Sequence, residues 1–455
     1  MGKLFGTDGI RGIVNEDLTN ELAMQIGMAA AEVLIKHRNE GTANGTVPTV
    51  MIGRDTRASG DMIEAALTAG FCAVGVNVLA VGVIPTPGIA YLIGKYNCDV
   101  GVMISASHNP CEYNGIKFFQ KSGYKLPDAV EDEIEAIIFG GMQGVEIKTG
   151  ADVGRRTYSR DAVEDYINHV VSVATVSFEG LNIALDTANG SASVSAKEIF
   201  TRLHAKCHML SDVPNGSNIN LDCGSTHLEE LQHFVKINKL DMGLAFDGDA
   251  DRMLAVDENG EVVDGDKVMA ICASQMKAEG TLKKNTVVST VMSNLGFFKY
   301  CKENDINCAR TAVGDRYVLE RMLQKGYNIG GEQSGHVIFL DHATTGDGEL
   351  SGVKLIEAVV KSGKTLKELA DKITTYPQVL INVEVTPEGK RKYSNDEYII
   401  SAVQEAEMEL GGDGRVLIRV SGTEPLIRIM LEGSDTKKIT ELGNGIAEVV
   451  RDRLK

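Results

Sequence analysis

"DVGVMISASHNP", residues 99–110, joins a short apolar run to a serine and a histidine that are set among small residues and a proline. An apolar run without polar alternation is typical of a strand buried on both faces, and such strands belong to parallel sheets. Ligands bind beyond the carboxyl ends of these strands. The stretch therefore predicts an α/β fold in which Ser107 lies at a ligand-binding edge.

Helical and strand patterns alternate along the chain on both sides of this stretch. Residues 22–37 have the apolar spacing of an amphipathic helix, which Thr19 or Asn20 would cap. The alternation restarts at "LNIALDTANG", 181–190, and again at "TVVSTVMSNL", 286–295. Near "YPQVLINVEV", 376–385, it changes to strand, helix, paired strands and helix. Three similar α/β domains followed by a smaller α+β domain are predicted.

We place the domain boundaries at composition shifts and turn-rich segments. The polar stretch 148–161 is interpreted as a linker, and 257–266 as a turn that leads into a third domain. The predicted domains are 1–155 with the serine loop, 156–258 with an acidic loop, 259–374 with a glycine-rich loop, and 375–455 at the C-terminus.

Composition excludes several classes of function. The formal net charge of -17 disfavours nucleic acid and anionic membranes as partners. The N-terminus has no apolar signal segment, and the eight cysteines form no CxxC pair. Both features favour a cytoplasmic protein with reduced thiols. "TLKE", 365–368, predicts a capping box at a helix start.

"MGLAFDGDADRMLAVD", 242–257, places Asp247, Asp249 and Asp251 at alternate positions between two apolar strands. Carboxylates crowded this closely repel each other by about 3 to 4 kcal/mol per pair at an effective dielectric of about 20. A divalent cation would relieve that repulsion, and oxygen ligands favour Mg²⁺, Mn²⁺ or Ca²⁺ over zinc. Arg252, next to the cluster, could contact a phosphoryl group that the metal also binds.

Three other interpretations of the acidic loop compete with a metal site of this kind. An EF-hand would place Glu258 at its twelfth position, but Arg252 stands where the loop needs glycine and the flanks are strands. In an aspartyl-phosphate phosphatase Asp247 would be the nucleophile, and the third aspartate and the arginine fit that less well. A solvated acidic turn is the remaining alternative.

"VLIRVSGTEPLIRIML", 416–431, has the pattern of a strand, a tight loop and a second strand. Backbone N–H groups around a glycine form an anion-binding nest, hydroxyls add donors, and arginine suits phosphate oxygens. An ordinary hairpin turn is the alternative. The candidate anion-binding residues are Arg419, Ser421, Gly422, Thr423 and Arg428.

"IGGEQSGHVIF", 329–339, places Glu332, Ser334 and His336 in a glycine-rich loop before a strand. A carboxylate, a hydroxyl and an imidazole can together bind the hydroxyls or an amine of a sugar ring, although a structural turn explains the pattern as well. Arg11 in "GTDGIRG" and Arg316 in "VGDRYV" are candidate anion contacts, with surface salt bridges as the alternative.

A serine nucleophile, a Mg²⁺-type site and a separate anion nest together indicate phosphoryl transfer through a phosphoserine, with a second phosphate held while the first moves. "ISASHNP", "FDGDADR", "GEQSGH" and "RVSGTEP" occur in this order over the whole chain, which resembles the α-D-phosphohexomutase superfamily. "FGTDGIRG", "GVIPTPG" and "SNINLDCGSTH" are most similar to its bacterial phosphoglucosamine mutase branch. The sequence departs from a commoner pattern at Val420 and at Ala250, where many relatives have proline and glycine.

The resemblance implies three α/β/α domains with mixed sheets and a C-terminal TATA-binding-protein-like domain around a central cleft. It implies interconversion of glucosamine 6-phosphate and glucosamine 1-phosphate for UDP-N-acetylglucosamine and cell-wall synthesis. Ser107 would carry the phosphoryl group and complete the shell of one Mg²⁺ with the three aspartates. Glucosamine 1,6-bisphosphate would be the intermediate and activator, and the partners would be a sugar phosphate and, as in many relatives, a second copy in a homodimer.

Lys117, in "NGIKFF", is the candidate general base or electrostatic aid at the serine, and simple neutralisation of phosphate is the alternative. His108 and His336 are further candidate proton carriers, and Arg11 completes the catalytic set. Within the superfamily a phosphomannomutase or phosphoglucomutase remains open. Outside enzymes, so does a sugar-phosphate binding protein that has lost catalysis.

Overall fold

The computed structural model describes residues 4–6, 8–40, 47–421 and 425–454. The chain divides into two compact units. The first comprises Met1–Met292 and Ile306–Asp371, and the second comprises Ser293–Asp305 and Lys372–Lys455. Across the described residues, none of the helices combines the length and the apolar character that a bilayer crossing requires.

Eighteen strands and fifteen α-helices make up the described part of the chain. The strands are β1 Ile10–Ile13, β2 Thr49–Arg54, β3 Asn77–Val83, β4 Val100–Ile104, β5 Tyr113–Gln120, β6 Arg156–Tyr158, β7 Asn182–Asp186, β8 Lys206–Leu210, β9 Met242–Phe246, β10 Met253–Asp257, β11 Val262–Val263, β12 Thr286–Thr290, β13 Asn307–Thr311, β14 Ile329–Gly331, β15 Val337–Phe339, β16 Gln378–Glu384, β17 Gly414–Val420 and β18 Leu426–Gly433. The helices are α1 Asn20–Glu40, α2 Ser59–Ala73, α3 Thr86–Lys95, α4 Asp128–Phe139, α5 Ala162–Val173, α6 Ala196–Arg202, α7 Glu229–Asn238, α8 Gly265–Ala278, α9 Leu295–Glu303, α10 Asp315–Lys325, α11 Gly348–Ser362, α12 Leu366–Ala370, α13 Pro387–Lys392, α14 Glu397–Leu410 and α15 Thr436–Leu454.

The first unit contains three mixed sheets, which confirms the α/β prediction. The first has the strand order β1-β5-β4-β2-β3-β6, the second β11-β10-β9-β7-β8 and the third β13-β12-β14-β15. In each sheet a parallel centre is extended on one side by antiparallel strands: β5 beside β4, β10 beside β9, and β15 beside β14. These antiparallel neighbours matter for the site, because several of the loops that carry functional side chains connect them.

The apolar periodicity that predicted these elements also explains their burial. Residues of β4 from Gly101 to Ile104 are fully buried, as the uninterrupted apolar run requires. Helix α1 buries Ala23, Ile26 and neighbouring apolar residues in the core of the first sheet. Thr19 Oγ1 accepts a hydrogen bond from the backbone N–H of Leu22, so Thr19 is the helix cap that the sequence offered.

The second unit contains an antiparallel sheet with the order β16-β18-β17. The order of its elements after residue 376 is strand, two helices, paired strands and helix, which confirms the change of pattern predicted there. Helices α14 and α15 pack on the sheet, and their buried side chains include Ile399, Ala406, Ile446 and Val450. The α9 segment, 293–305, is grouped with this unit.

Two local predictions have different outcomes. Thr365 and Glu368 form the predicted capping box at the start of α12. The stretch 148–161, interpreted as a linker, instead contributes β6, whose residues pair with Val78–Ala80 of β3. Because a strand of three residues carries almost no periodicity, its sequence did not distinguish an edge strand from a connection.

Candidate active site

Ser107 lies three residues beyond the end of β4, at the edge where the sequence placed it. It is 1 % exposed and its backbone is left-handed, with φ of 53°. That region disfavours L residues with a side chain by about 1 kcal/mol or more, so surrounding contacts must hold the loop. The Ser107 N–H donates to Ser105 Oγ at 2.9 Å, which fixes the start of the turn.

Two side chains hold the carbonyl groups of the serine loop. Arg57 is fully buried, and its Nη2 donates to the carbonyl oxygens of Ser107 at 3.0 Å and Asn109 at 2.9 Å. Asn220 Nδ2 donates to the same two oxygens at 2.9 and 3.0 Å. Asp55 balances the arginine's charge by accepting from Arg57 Nε at 2.9 Å. The loop that carries Ser107 is thereby held by contacts from both the first and the second sheet regions.

The acidic loop between β9 and β10 meets the serine. Ser107 Oγ donates to Asp247 Oδ2 at 2.6 Å. Asp247, Asp249 and Asp251 are buried, and each offers one carboxylate oxygen that lies within 4.8 Å of the others. Ala250, between the last two, has a left-handed φ of 57°, a conformation that glycine adopts more easily than alanine.

These residues fit a hard divalent cation. Asp249 Oδ1 and Asp251 Oδ1 are buried and have no hydrogen-bond partner among the residues that the structure describes, although buried polar atoms are normally satisfied. The second oxygen of Asp249 is already used, since it accepts from Thr86 Oγ1 at 2.6 Å and from Lys117 Nζ at 2.8 Å. An all-oxygen donor set of three carboxylates and a hydroxyl is the type that Mg²⁺ prefers.

The electrostatics of the three carboxylates differ. Burial, reinforced by the charges of Asp251 and Asp249, raises the pKa of Asp247 well above its usual range. Burial also acts to raise the pKa of Asp251, but Lys117 and His336 together outweigh it and hold that pKa well below its usual range. Between these two carboxylates, the protein therefore compensates the charge of Asp247 less than that of Asp251.

Lys117, on β5, is 2 % exposed and sits among three carboxylates. Its Nζ lies 2.8 Å from Asp249, 3.3 Å from Asp8 and 3.4 Å from Asp251. Burial acts to lower its pKa, but these carboxylates outweigh burial and raise the pKa of Lys117 well above its usual range. In this arrangement Lys117 is an ammonium ion and not a free base, which favours the electrostatic role among the alternatives weighed from the sequence.

The two histidines stand on different sides of the cluster. His108 Nδ1 is 3.3 Å from Ser107 Oγ, and burial followed by Arg252 and Arg11 lowers the pKa of His108. His336 Nδ1 faces Asp251 Oδ1 at 3.7 Å, while its Nε2 accepts from the Gly346 N–H at 3.1 Å. Burial acts to lower the pKa of His336, but Asp251 and Asp315 raise it overall.

A cavity of about 620 Å³ opens in front of these groups. Arg11, Arg252, Glu332 and His336 line it together with Asp251. Arg11 Nη1 donates to Asn109 Oδ1 at 3.2 Å, while the Nε atoms of Arg11 and Arg252 are buried and find no hydrogen-bond partner in the described part of the chain. Two arginines with unused donors beside a cluster suited to a metal can bind a phosphate.

The glycine-rich loop between β14 and β15 brings only part of its predicted set to the cavity. Glu332 and His336 line the cavity, whereas Ser334 is exposed and does not. Glu332 Oε1 accepts from the Gly314 N–H at 3.1 Å. Arg316 forms surface ion pairs with Asp128 and with Glu320, so it follows the salt-bridge alternative.

The predicted anion loop lies in the second unit. Arg419 and Arg428 are direct partners on the antiparallel strands β17 and β18. Burial, followed by the charge of Arg428, lowers the pKa of Arg419. Ser421 is buried and its N–H donates to the Leu426 carbonyl at 2.9 Å, while Gly422 and Thr423 lie outside the described residues. Like charges paired across a sheet are destabilising, so this pair favours a bound anion.

Sequence reasoning missed several residues of the site. Arg57 and Asn220 could not be selected from the sequence, because they hold backbone carbonyl groups and no sequence motif is specific to that role. Asp8 stands beside Arg11 in the quoted "GTDGIRG" and was overlooked there. Lys125 and Asp315 were also missed. Only the position of Asp315, at the first turn of a helix after a glycine, carried any signal.

Four domain families match the chain in order. They are Phosphoglucomutase/phosphomannomutase, alpha/beta/alpha domain I over residues 2–144, domain II over 164–260, domain III over 264–376, and the C-terminal domain over 380–449. The matches cover most of the chain. The protein therefore belongs to the phosphoglucomutase/phosphomannomutase family of phosphohexomutases, as the motifs indicated.

Individual relatives agree with this placement. The chain is 53 % identical over 454 residues to a phosphoglucosamine mutase of Ruminiclostridium cellulolyticum and 52 % identical over 454 residues to one of Caldanaerobacter subterraneus, covering 100 % of both chains in each comparison. Among solved structures, a phosphoglucomutase/phosphomannomutase family protein from Burkholderia thailandensis superimposes with a TM-score of 0.83 at 22 % identity, over 99 % of this chain and 98 % of the other. The latter shows that the fold is shared.

Proposed function

We propose that this chain interconverts glucosamine 6-phosphate and glucosamine 1-phosphate through a phosphoserine at Ser107. The observation that carries the proposal is the contact of Ser107 Oγ with Asp247 at 2.6 Å inside a buried cluster of three carboxylates. Relatives about half identical over their whole length are named phosphoglucosamine mutase. The product would supply UDP-N-acetylglucosamine and cell-wall synthesis.

The donor set suits one Mg²⁺, held by Asp247, Asp249, Asp251 and an oxygen on Ser107. When bound, such an ion would neutralise charge on the transferring phosphoryl group. A solved relative from Aspergillus fumigatus, an N-acetylphosphoglucosamine mutase, is described as a complex with GlcNAc-6P and magnesium. Arg252 and Arg11, at the cavity wall, would hold the oxygens of the same phosphoryl group.

In the forward direction the phosphoserine donates its phosphoryl group to the free hydroxyl of the sugar monophosphate. The bond between Ser107 Oγ and phosphorus breaks, a bond between the sugar oxygen and phosphorus forms, and glucosamine 1,6-bisphosphate results. Lys117, as an ammonium, can return a proton to Ser107 Oγ as it leaves. His336 or His108 accepts the proton of the sugar hydroxyl.

The bisphosphate must then reorient and return its other phosphate to Ser107. Glu332, Ser334 and His336 are proposed to contact the sugar ring in both orientations. Arg419, Ser421, Gly422, Thr423 and Arg428 are proposed to bind the phosphate that is not being transferred. A water-free environment during transfer protects the phosphoserine from hydrolysis.

The decisive experiment assays glucosamine, mannose and glucose 6-phosphates side by side, each with its 1,6-bisphosphate as activator. We expect the glucosamine substrate to have the highest kcat/KM. Higher kcat/KM with mannose or glucose phosphate would assign the chain to the phosphomannomutase or phosphoglucomutase alternative, which the family name keeps open. No turnover with any of them, together with an unmodified Ser107 peptide in mass spectrometry, would leave a binding protein.

Three further assignments belong to the same proposal. The protein acts in the cytoplasm, where its sugar phosphate substrate is found. It forms a homodimer, which light scattering after size-exclusion chromatography would test. Its domains extend over 1–155, 156–258, 259–374 and 375–455, and limited proteolysis should cut first near these boundaries.

A further inference from the structure

Lys125 is a half-buried cation, with 23 % of its side chain exposed, that no motif includes. It lies in the turn between β5 and α4, and its Nζ contacts Asp8 Oδ1 at 2.6 Å and Asp315 Oδ2 at 2.7 Å. Asp8 and Asp315 line the cavity of about 620 Å³ in front of the acidic cluster, whereas Lys125 is not among its lining residues. Asp8 and Asp315 therefore lie between Lys125 and this cavity, and Lys125 does not face the proposed substrate.

Each of these carboxylates touches one of the candidate proton carriers. The second oxygen of Asp8, Oδ2, lies 3.3 Å from Lys117 Nζ. The oxygen of Asp315 that contacts Lys125 also lies 3.6 Å from His336 Nε2. Lys117 and His336 in turn face the same carboxylate, Asp251. The contacts close a ring of six side chains in which acidic and basic groups alternate.

The ring also joins three parts of the sequence. Asp8, Lys117 and Lys125 lie within the segment that matches alpha/beta/alpha domain I, Asp251 lies within the segment that matches domain II, and Asp315 and His336 lie within the segment that matches domain III. The Lys125–Asp315 ion pair thus connects the start of α10, whose first residue is Asp315, to the first sheet region. Gly314 immediately precedes α10 and has φ of 128°, a backbone geometry that only glycine adopts easily. This geometry directs the Asp315 side chain toward Lys125.

We propose that Lys125 is a positioning residue for the phosphoryl transfer: by bridging Asp8 and Asp315 it fixes where Lys117 and His336 stand relative to Ser107. The inference rests on the proposed function, because it concerns the groups that move protons in that reaction. Supporting side chains of this kind typically change activity by about 10- to 100-fold when removed. Lys125 does not line the cavity of about 620 Å³ in which the substrate is proposed to bind. Removal of the Lys125 ammonium group therefore acts on the transfer step and leaves sugar phosphate binding largely intact.

The test compares Lys125→Met with Lys125→Arg and with Lys121→Met, an exposed lysine four residues earlier. We expect kcat of Lys125→Met to fall by about 10-fold or more while KM changes by less than about threefold. Lys125→Arg should recover much of kcat, because a guanidinium can also bridge two carboxylates and the adjoining cavity of about 260 Å³ gives it room. Lys121→Met should match the unaltered protein in both constants.

A second readout does not depend on catalysis. The Cε1–H signal of His336 in NMR spectra, identified by its loss in His336→Gln, reports the surroundings of the imidazole. It should shift in Lys125→Met and in Asp315→Asn, which keeps the side-chain shape, and should not shift in Lys121→Met. If the unaltered protein converted none of the hexose phosphates, the proposed function would fail, and this signal would still decide the role of Lys125.

Three outcomes would overturn the proposal. One is an unchanged kcat in Lys125→Met. Another is a loss of kcat with no shift of the His336 signal, because Lys125 would then not position His336 through Asp315, as the proposal requires. The third is a rise in KM alone, which would make Lys125 part of substrate binding. Should Lys125→Met not fold, Asp315→Asn carries the same comparison.

Discussion

Replacement of Asp247 by asparagine should change the stability of the protein in opposite directions without and with Mg²⁺. Each pair in the cluster lies within 4.8 Å, so each repulsion amounts to at least about 3.5 kcal/mol at an effective dielectric of about 20. Two such pairs involve Asp247. The carboxyl group can escape them by keeping a proton, which at pH 7 costs about 4 kcal/mol relative to an ordinary aspartate. The cost of keeping the proton is smaller than the summed repulsion of the two pairs, so it limits how much Asp247 can destabilise the fold. Asp247→Asn should therefore stabilise the metal-free protein by about 1 to 4 kcal/mol.

With Mg²⁺ bound, the unaltered protein should be more stable than Asp247→Asn. A site filled at one thousand times its Kd adds about 4.1 kcal/mol to the unaltered protein, more than the gain of about 1 to 4 kcal/mol that the substitution brings without the metal. The variant, which has lost a charged ligand, should gain much less. Thermal unfolding in EDTA and at increasing Mg²⁺ measures both effects, and Asp222→Asn, an exposed aspartate outside the cluster, is the matched control. A lower Tm of the variant in EDTA, or an equal Mg²⁺ response in all three proteins, would refute the reasoning.

Three other predictions address the nucleophile, the anion loop and a buried acidic pair. Ser107→Ala should abolish turnover with little loss of structure by circular dichroism, and substantial activity would contradict the serine mechanism. Arg419→Ala should raise KM for the sugar phosphate by about tenfold, the loss of one charge-assisted contact, with the Mg²⁺ Kd unchanged; an unchanged KM would count against the nest. Burial, followed by the charge of Asp347, raises the pKa of Glu349 well above its usual range, and burial raises that of Asp347 to about 7. The folded protein keeps protons that the unfolded chain has released, so the free energy of unfolding should fall between about pH 4 and pH 7. Glu349→Gln should flatten that slope in urea titrations, and an unaltered slope would show that other groups cause it.

The elements that the sequence predicted well are those with a strong local signal. The strand before Ser107 and the two strands around the aspartates are uninterrupted apolar runs, and such runs are buried wherever they fold. The capping residue Thr19 and the box at Thr365 depend on neighbours only three residues away. For the same reason the serine, the acidic triplet and His336 could be chosen before any coordinates were known.

The remaining features depend on contacts between distant parts of the chain. Lys125 is an ordinary turn residue until Asp8, 117 residues earlier, and Asp315, 190 residues later, come to face it. Arg57 resembles a surface arginine in "GRDTR", and only the fold buries it against the serine loop. The charge state of Lys117 could not be predicted from the sequence either, because the carboxylates that keep it charged belong to two distant segments, one with Asp8 and one with Asp249 and Asp251.

Arg57 and Asn220 both donate hydrogen bonds to the carbonyl oxygens of Ser107 and Asn109. This shared support limits how far the enzyme could be reduced in size. Arg57 lies in the segment that matches domain I and Asn220 in the segment that matches domain II. Separating these two domains would therefore remove half of this support. A fragment that ends near residue 150 would keep Ser107 and its preceding strand but would leave the left-handed serine free to relax. Transplanting the serine motif onto a smaller scaffold would meet the same obstacle, since part of the support for its backbone geometry comes from Asn220, 113 residues away.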